Sequence, residues 1–409
     1  MASLPKIAHA ERAHALLSAS GSERWINCPA SPRLEEVMPE EASVYADEGT
    51  LAHELADIKL RTDLKFMSMD NYRQQVELLR KHPLYYPAME DEVMEYVNYC
   101  KAQFTEAKRI DKHARILIEE KLDLTEWIAD GFGTSDCIVI SNVGIEVIDL
   151  KFGKGKQVYA EENTQLKTYG LGAERVARRT TTFNKVTLTI VQPRLEHLSS
   201  WSLSTKELKD WGEQILKPKA VEAYKGDGPQ VPGDWCQFCK VRPRCKALSD
   251  MAMEQVRRDF EEQDDPRLIN DDELLTLYKN ADFISKFLSD VKGLVLKQAI
   301  EGKQWQGFKL VEGRSNRVIT DESKAIQILT GELYTTDEIL NKKLKGLGDL
   351  EKLLKKAEFN SLLGHLVVKP AGAPTLVDEN DKRELYGVSR IAKDFEIIAD
   401  VEDEDDDLN

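Results

Sequence analysis

Long hydrophobic runs are missing from this chain of 409 residues. No stretch approaches the ~20 apolar residues of a membrane span, so no membrane partner is expected. Cysteine is scarce: six residues are too few for a disulfide framework at this length. The first residues, MASLPKIAHAERAHALL, lack the apolar core of a signal peptide. A reducing cytoplasm is therefore the expected compartment, and there clustered cysteines point to metal. No repeat appears at a 20 to 50 residue period. Net positive charge is also absent, at −15, although binding to phosphate usually leaves a basic footprint. Part of that deficit is local, because Asp400 to Asp407 hold seven acids and no base. Such a block reads as a solubilising terminus, or as a tethered competitor for a basic surface.

Four stretches carry chemistry. They are His53 in GTLAHEL, Asp136 in GTSDCIVI, Asp149-Leu150-Lys151 in IEVIDLKFGKG, and Gln165 with Tyr169 in NTQLKTYG. An acid on one apolar strand is followed by acid-x-lysine at the end of the next. Two converging carboxylates suit a hard divalent cation such as Mg²⁺. Lys151 lies two residues after Asp149 and shares its strand face, which sets an ammonium beside the metal position. There it can orient a water or balance charge on a phosphate. Gln165 and Tyr169 are four apart and share one helix face. Each piece alone has a plainer reading: a solvated strand end, a turn-capping Asp, a core histidine, an amphipathic pair. Glu119 and Glu120, on the preceding strand, are candidate accessory acids left outside the assigned set.

In order and context this pattern resembles the PD-(D/E)XK nucleases, and among them the RecB-type exonucleases with a histidine before the core and Q-x-x-x-Y after it. The resemblance spans roughly residues 20 to 250. It implies a restriction-endonuclease-like α/β core, a mixed central sheet flanked by helices. His53, Asp136, Asp149 and the Leu150 carbonyl would be metal ligands, and Lys151 the catalytic lysine. Gln165 and Tyr169 would help to position the substrate strand. The implied activity is Mg²⁺- or Mn²⁺-dependent hydrolysis of DNA, leaving 5′-phosphates; imidazole ligation favours Mn²⁺. Exonuclease action in phage-type recombination or replication is expected, within a bacterial host cell if the chain is phage- or prophage-encoded. The partners would be DNA ends or single strands, and phage recombination or single-strand-binding proteins. A nicking or structure-specific endonuclease would use the same residues, and a non-catalytic DNA-end-binding scaffold is the rival from another class. Oligomeric state is left open.

Cys236, Cys239 and Cys245 form C-x₂-C-x₅-C in DWCQFCKVRPRCKAL, and Cys28 in SERWINCPAS is the candidate fourth ligand. Thiolates serve zinc and iron–sulfur clusters alike. The arrangement resembles the 4Fe–4S staple of AddB-type and CRISPR-adaptation-type nucleases, with one upstream and three downstream cysteines. Cys100 and Cys137 read as buried small hydrophobes.

Three segments are expected: a nuclease domain over 1–255, an α+β extension over 265–395, and a disordered acidic tail over 396–409. Within the first, helices are predicted over 10–27, 47–62, much of 70–110, and 161–178. Strands are predicted over 115–122, 136–140, 145–151, 185–192 and 196–203. Beyond it come a helix over 272–301, a hairpin from Gln304 to Val311 and Ser315 to Ile319, and a helix over Gly348 to Ala357. Basic runs at Lys151, Lys154 and Lys156, at Arg175, Arg178 and Arg179, and at Arg242, Arg244 and Lys246 flank the proposed site.

Overall fold

The computed structural model describes residues 15–39, 44–257, 271–309, 322–331, 345–354 and 356–367. The chain forms two compact units, Met1–Lys355 and Lys356–Asn409.

In the first unit, helices α1 (Ser22–Asn27), α2 (Ser31–Glu35), α3 (Val44–Asp63), α4 (Met69–Leu79) and α5 (Met89–Ile110) precede the sheet. The expected helix over 10–27 is shorter than its sequence suggests. Ser18 Oγ accepts the Gly21 amide and caps a 3₁₀ turn over Ala19–Gly21, so the α-helix starts only at Ser22. Residues 10–14 lie outside the described residues. Trp25 is buried and donates to Ser18 O at 2.9 Å.

Five apolar runs become strands: β1 (Arg115–Asp123), β2 (Phe132–Ile140), β3 (Ile145–Leu150), β4 (Lys185–Gln192) and β5 (His197–Ser204). They lie side by side in chain order, antiparallel except for the parallel pair β3–β4. A parallel pair needs a crossover, supplied by α6 (Thr164–Ala177), whose start is capped by Asn163 Oδ1 on the Leu166 amide at 3.0 Å. The mixed sheet is thus flanked by helices. Beyond β5 come α7 (Thr205–Trp211), α8 (Lys217–Lys225), α9 (Lys246–Arg257) and α10 (Asp271–Ile300).

Sequence neighbours on the inner strands serve opposite layers, as strand geometry requires. Ile138, Val147 and Ile190 pack with α6, α7 and Trp25. Cys137, Ile148 and Val191 pack with α3 and α5. Gly172 permits the close approach of α6 to β1, because a Cβ there would sit 2.9 Å from Leu122 Cβ.

β1 does not keep its alternation. Ile116 and Ile118 face the α3–α5 layer, yet Leu122 packs in the α6 layer. A regular strand would put all three on one face. The inversion falls at Glu119, whose φ of 50° is left-handed and costs a non-glycine residue about 1–2 kcal/mol. β2 inverts along the same stretch, since Gly133 abuts Tyr169 of the α6 layer while Cys137 faces α5.

Further along, the expected hairpin is absent over residues 304–309, which form turns and irregular backbone with Gly307 at φ 80°. Its second half, Ser315 to Ile319, and the acidic tail lie outside the described residues. Helices α11 (Glu322–Gly331) and α12 (Leu347–Leu353) follow, and the helix expected to Ala357 stops because Leu354 is extended. In the second unit, α13 (Lys356–Leu363) leads into a 3₁₀ turn with Phe359 buried. Beyond residue 270 the described residues contain helices and turns but no strand, so the β part of the expected α+β extension is not seen there. Among the described residues no helix is long and apolar enough to cross a membrane.

Candidate active site

The site forms where the sheet ladders open. β1 and β2 pair at Ile118↔Cys137 and Glu120↔Ser135, with no rung between, and β2–β3 pairing ends at Cys137↔Ile148. The next position of this register aligns Glu119, Asp136 and Asp149 across three adjacent strands. Three carboxylates in one row repel one another, so something positive must face them.

Each acid is held differently. Asp136 Oδ2 accepts the Leu150 amide at 2.7 Å, taking the place of a ladder carbonyl. Its other oxygen lies 3.3 Å from His53 Nδ1. His53 projects from α3 beside the buried Ala52 and Ala56, which anchor the helix on the sheet. One turn on, Asp57 holds Arg61, and Arg61 donates to Ile118 O at 2.8 Å, fixing β1 just before Glu119. Asp149 is 3% exposed. Its Oδ1 accepts from Gln165 Nε2 at 3.0 Å, and Lys151 Nζ donates to Gln165 Oε1 at 2.9 Å. Asp149 Oδ2 lies 3.1 Å from Lys151 Nζ at an ion-pair distance, yet it is buried and accepts no hydrogen bond.

Electrostatics follow from this crowding. Burial raises the Asp149 pKa, and Asp136 adds to that against the pull of Lys151 and His53. For His53, burial alone would lower the pKa. The Asp136 carboxylate outweighs it, with Asp149 and Glu119 behind, and His53 is pushed up to about 9. Glu119 rises to about 7, through partial burial and then the charge of Asp136.

His53, Glu119 and Asp136 bring ligand atoms within 4.8 Å of one another, the one such trio among the described residues. The donors are oxygen and imidazole nitrogen, a set for Mg²⁺ or Mn²⁺. The structure therefore brings together His53, Asp136, Asp149, Lys151 and Gln165. Tyr169 is 7% exposed, packed in the α6 layer instead of facing solvent, and burial raises its pKa. Glu119 is the residue that the motif reading left unassigned.

The four cysteines Cys28, Cys236, Cys239 and Cys245 line a single cavity, and all are free thiols. Cys28 ends α1, and its Sγ accepts the Val231 amide at 3.4 Å. The other three sit on successive tight turns, with amide bonds Cys239→Cys236 O at 3.1 Å and Cys245→Arg242 O at 3.2 Å. Burial pushes the Cys239 thiol up to about 12 and raises Cys236, so the cavity disfavours bare thiolates. Cys100 and Cys137 are fully buried in the α3–α5 layer, away from this cavity.

Comparison with known proteins then places the sequence. Residues 14–384 match the family described as "Protein of unknown function (DUF2800)". The chain belongs to the DUF2800 family. Among solved structures, SSO0001 matches at 12% identity over 55% of this chain and 96% of its own, with a TM-score of 0.21. A "Putative exonuclease" from Eubacterium rectale matches at 11% identity over 55% and 86%, with a TM-score of 0.31. Neither likeness is close enough to carry over a fold.

The basic runs are largely committed within this DUF2800 protein. Arg175 pairs with Asp123 at 3.1 Å, Arg178 with Glu126 at 2.8 Å, and buried Arg242 with Asp290 at 3.2 Å. Lys246 pairs with Asp250. Lys154 and Lys156 remain exposed on the loop that leaves Lys151.

Proposed function

We propose that this DUF2800 protein is a divalent-metal-dependent DNA nuclease of the PD-(D/E)XK type, acting as an exonuclease. His53, Asp136, Asp149 and the Leu150 carbonyl would hold Mg²⁺ or Mn²⁺. The observation that carries the reading is the interlock of Asp149, Lys151 and Gln165 beside the His53–Asp136 pair. A fold kept only to bind DNA has no chemical need for the whole acid-acid-lysine set. When bound, a divalent cation polarises a phosphate oxygen and lowers the pKa of a coordinated water. Lys151, its ammonium aimed by Gln165, orients that water and balances charge that builds on the phosphate. Gln165 fixes both the lysine and Asp149, so the set is organised before substrate arrives. Lys154 and Lys156, exposed on the loop that leaves Lys151, would be available to a phosphate backbone.

The same proposal gives the cysteine cavity a structural 4Fe–4S cluster. Four thiols lining one cavity, one from before the sheet and three from after it, offer such a group its full set of ligands.

The test is incubation with end-labelled linear and closed circular DNA, with Mn²⁺ or with EDTA. Linear DNA should be degraded only with the metal, and circles should survive. Lys151→Ala should bind metal and lose turnover, and Asp149→Ala should lose both. Wild-type digestion by both variants would refute the assignment. Protein that never cuts linear, single-stranded or branched DNA would favour a binding scaffold.

A further inference from the structure

We propose that Glu119 is a further metal ligand, carried into the site by the left-handed residue that inverts β1. The inference rests on the metal-dependent reading above and adds a ligand that the motif does not contain. Three observations converge on it. Ligand atoms of Glu119, His53 and Asp136 lie within 4.8 Å of one another, so one cation can touch all three. The strand register sets Glu119 directly across from Asp136, which is itself level with Asp149. Asp149 adds a third, buried carboxylate to the row, and the Lys151 ammonium 3.1 Å from its Oδ2 answers that acid and not Glu119.

The backbone explains how the side chain arrives. Had β1 kept its alternation, position 119 would face the α6 layer, opposite Ile118 and away from His53 on α3. The φ of 50° redirects it, and Arg61 clamps the preceding carbonyl so that the distortion is held. The Glu119 carboxylate lies beside that of Asp136 and is repelled by it, with the positive charges of His53 and Arg61 also acting on it. A cation shared by His53, Glu119 and Asp136 relieves that repulsion. It also retains coordination positions for water and a phosphate oxygen, because ions of this class take about six ligands.

The test is Mn²⁺ binding to the full-length protein without DNA, followed by calorimetry, for wild type, Glu119→Gln, Glu119→Gly, Glu120→Gln and Asp136→Asn. Glu119→Gln should weaken binding at least about tenfold, the scale of loss when a metal site's supporting groups are removed. Glu120→Gln should match wild type. Glu119→Gly should lose affinity equally while its metal-free melting temperature rises, because glycine removes the left-handed strain; a ligand role and a purely structural role part company there. If both Glu119 variants bind as tightly as wild type while Asp136→Asn has lost the ion, Glu119 is not a ligand and the nuclease reading survives. If wild-type protein itself takes up no Mn²⁺, the metal-dependent reading falls, and this inference falls with it.

Discussion

Loading the site with Mn²⁺ should expel about one proton per ion, most of it from His53. In the metal-free protein the nearby carboxylates hold His53 at about 9, well above its ordinary 6.5. A metal accepts only neutral imidazole, so at pH 7.5 nearly every His53 must lose its proton as the ion enters. Glu119, at about 7, adds roughly a quarter of a proton at that pH. Apparent affinity should therefore climb by close to tenfold per pH unit between about 7 and 9 and level off above. The stability of the metal-free protein moves the other way. Both groups have raised folded pKa values, so their contribution is complete below the unfolded values, 6.5 for His53 and 4.5 for Glu119. It is lost as pH rises through about 9 and about 7 respectively. For His53 the shift corresponds to about 3 kcal/mol at most. With its side chain 32% exposed, about 1–2 kcal/mol is the reasonable expectation. Calorimetric titrations at pH 7.5 in buffers of different ionisation enthalpy read the proton count directly. Identical enthalpies in all buffers, with an affinity that ignores pH, would refute this account of the site.

Three further outcomes are expected. Gln165→Ala should cut DNA about 10- to 100-fold more slowly with Mn²⁺ binding retained, because Lys151 and Asp149 lose their shared clamp; a wild-type rate would show that the interlock is idle. Gly172→Ala should cost about 1–3 kcal/mol in urea denaturation, since its Cβ would press on Leu122 Cβ at 2.9 Å and Leu124 Cδ2 at 3.0 Å; unchanged stability would show that β1 can yield. Anaerobically purified protein should be brown and contain iron, and Cys28→Ser should bleach it while Cys100→Ser does not; colourless protein with one zinc would overturn the cluster.

The candidate catalytic set was legible because its signals are local. Asp149 and Lys151 are two apart on a strand, Gln165 and Tyr169 four apart on a helix, and each spacing has one geometric meaning. Glu119 was legible only as one of two candidate accessory acids, undistinguished from Glu120, for a definite reason. Ile116, Ile118, Leu122 and Leu124 keep even parity along the sequence, which reads as one apolar face interrupted at Glu120. The inversion at residue 119 is written in a backbone angle that favours glycine, at a position occupied by glutamate. Tyr169 shares a face with Gln165 as expected, but spacing says nothing about depth, and the packed α6 layer buries it. That the basic runs flanking the site are paired was not legible, because their partners Asp123, Glu126 and Asp290 are remote in sequence. The N-terminal helix was overextended because a Ser-Ala-Ser-Gly stretch can continue a helical pattern as easily as it can cap one.

The meeting of Cys28 with Cys236, Cys239 and Cys245 also has a consequence for the unfolded chain. A metal group held by all four would close a loop of about 200 residues containing the entire sheet. By the chain-entropy estimate used for cross-links, such closure withholds roughly 5 kcal/mol of disorder from the denatured ensemble. The stabilisation would owe nothing to new contacts in the folded protein. Its effect would show as slow escape of the first helices from the sheet, because α1 could not peel away while the far end of the domain remained tied to it.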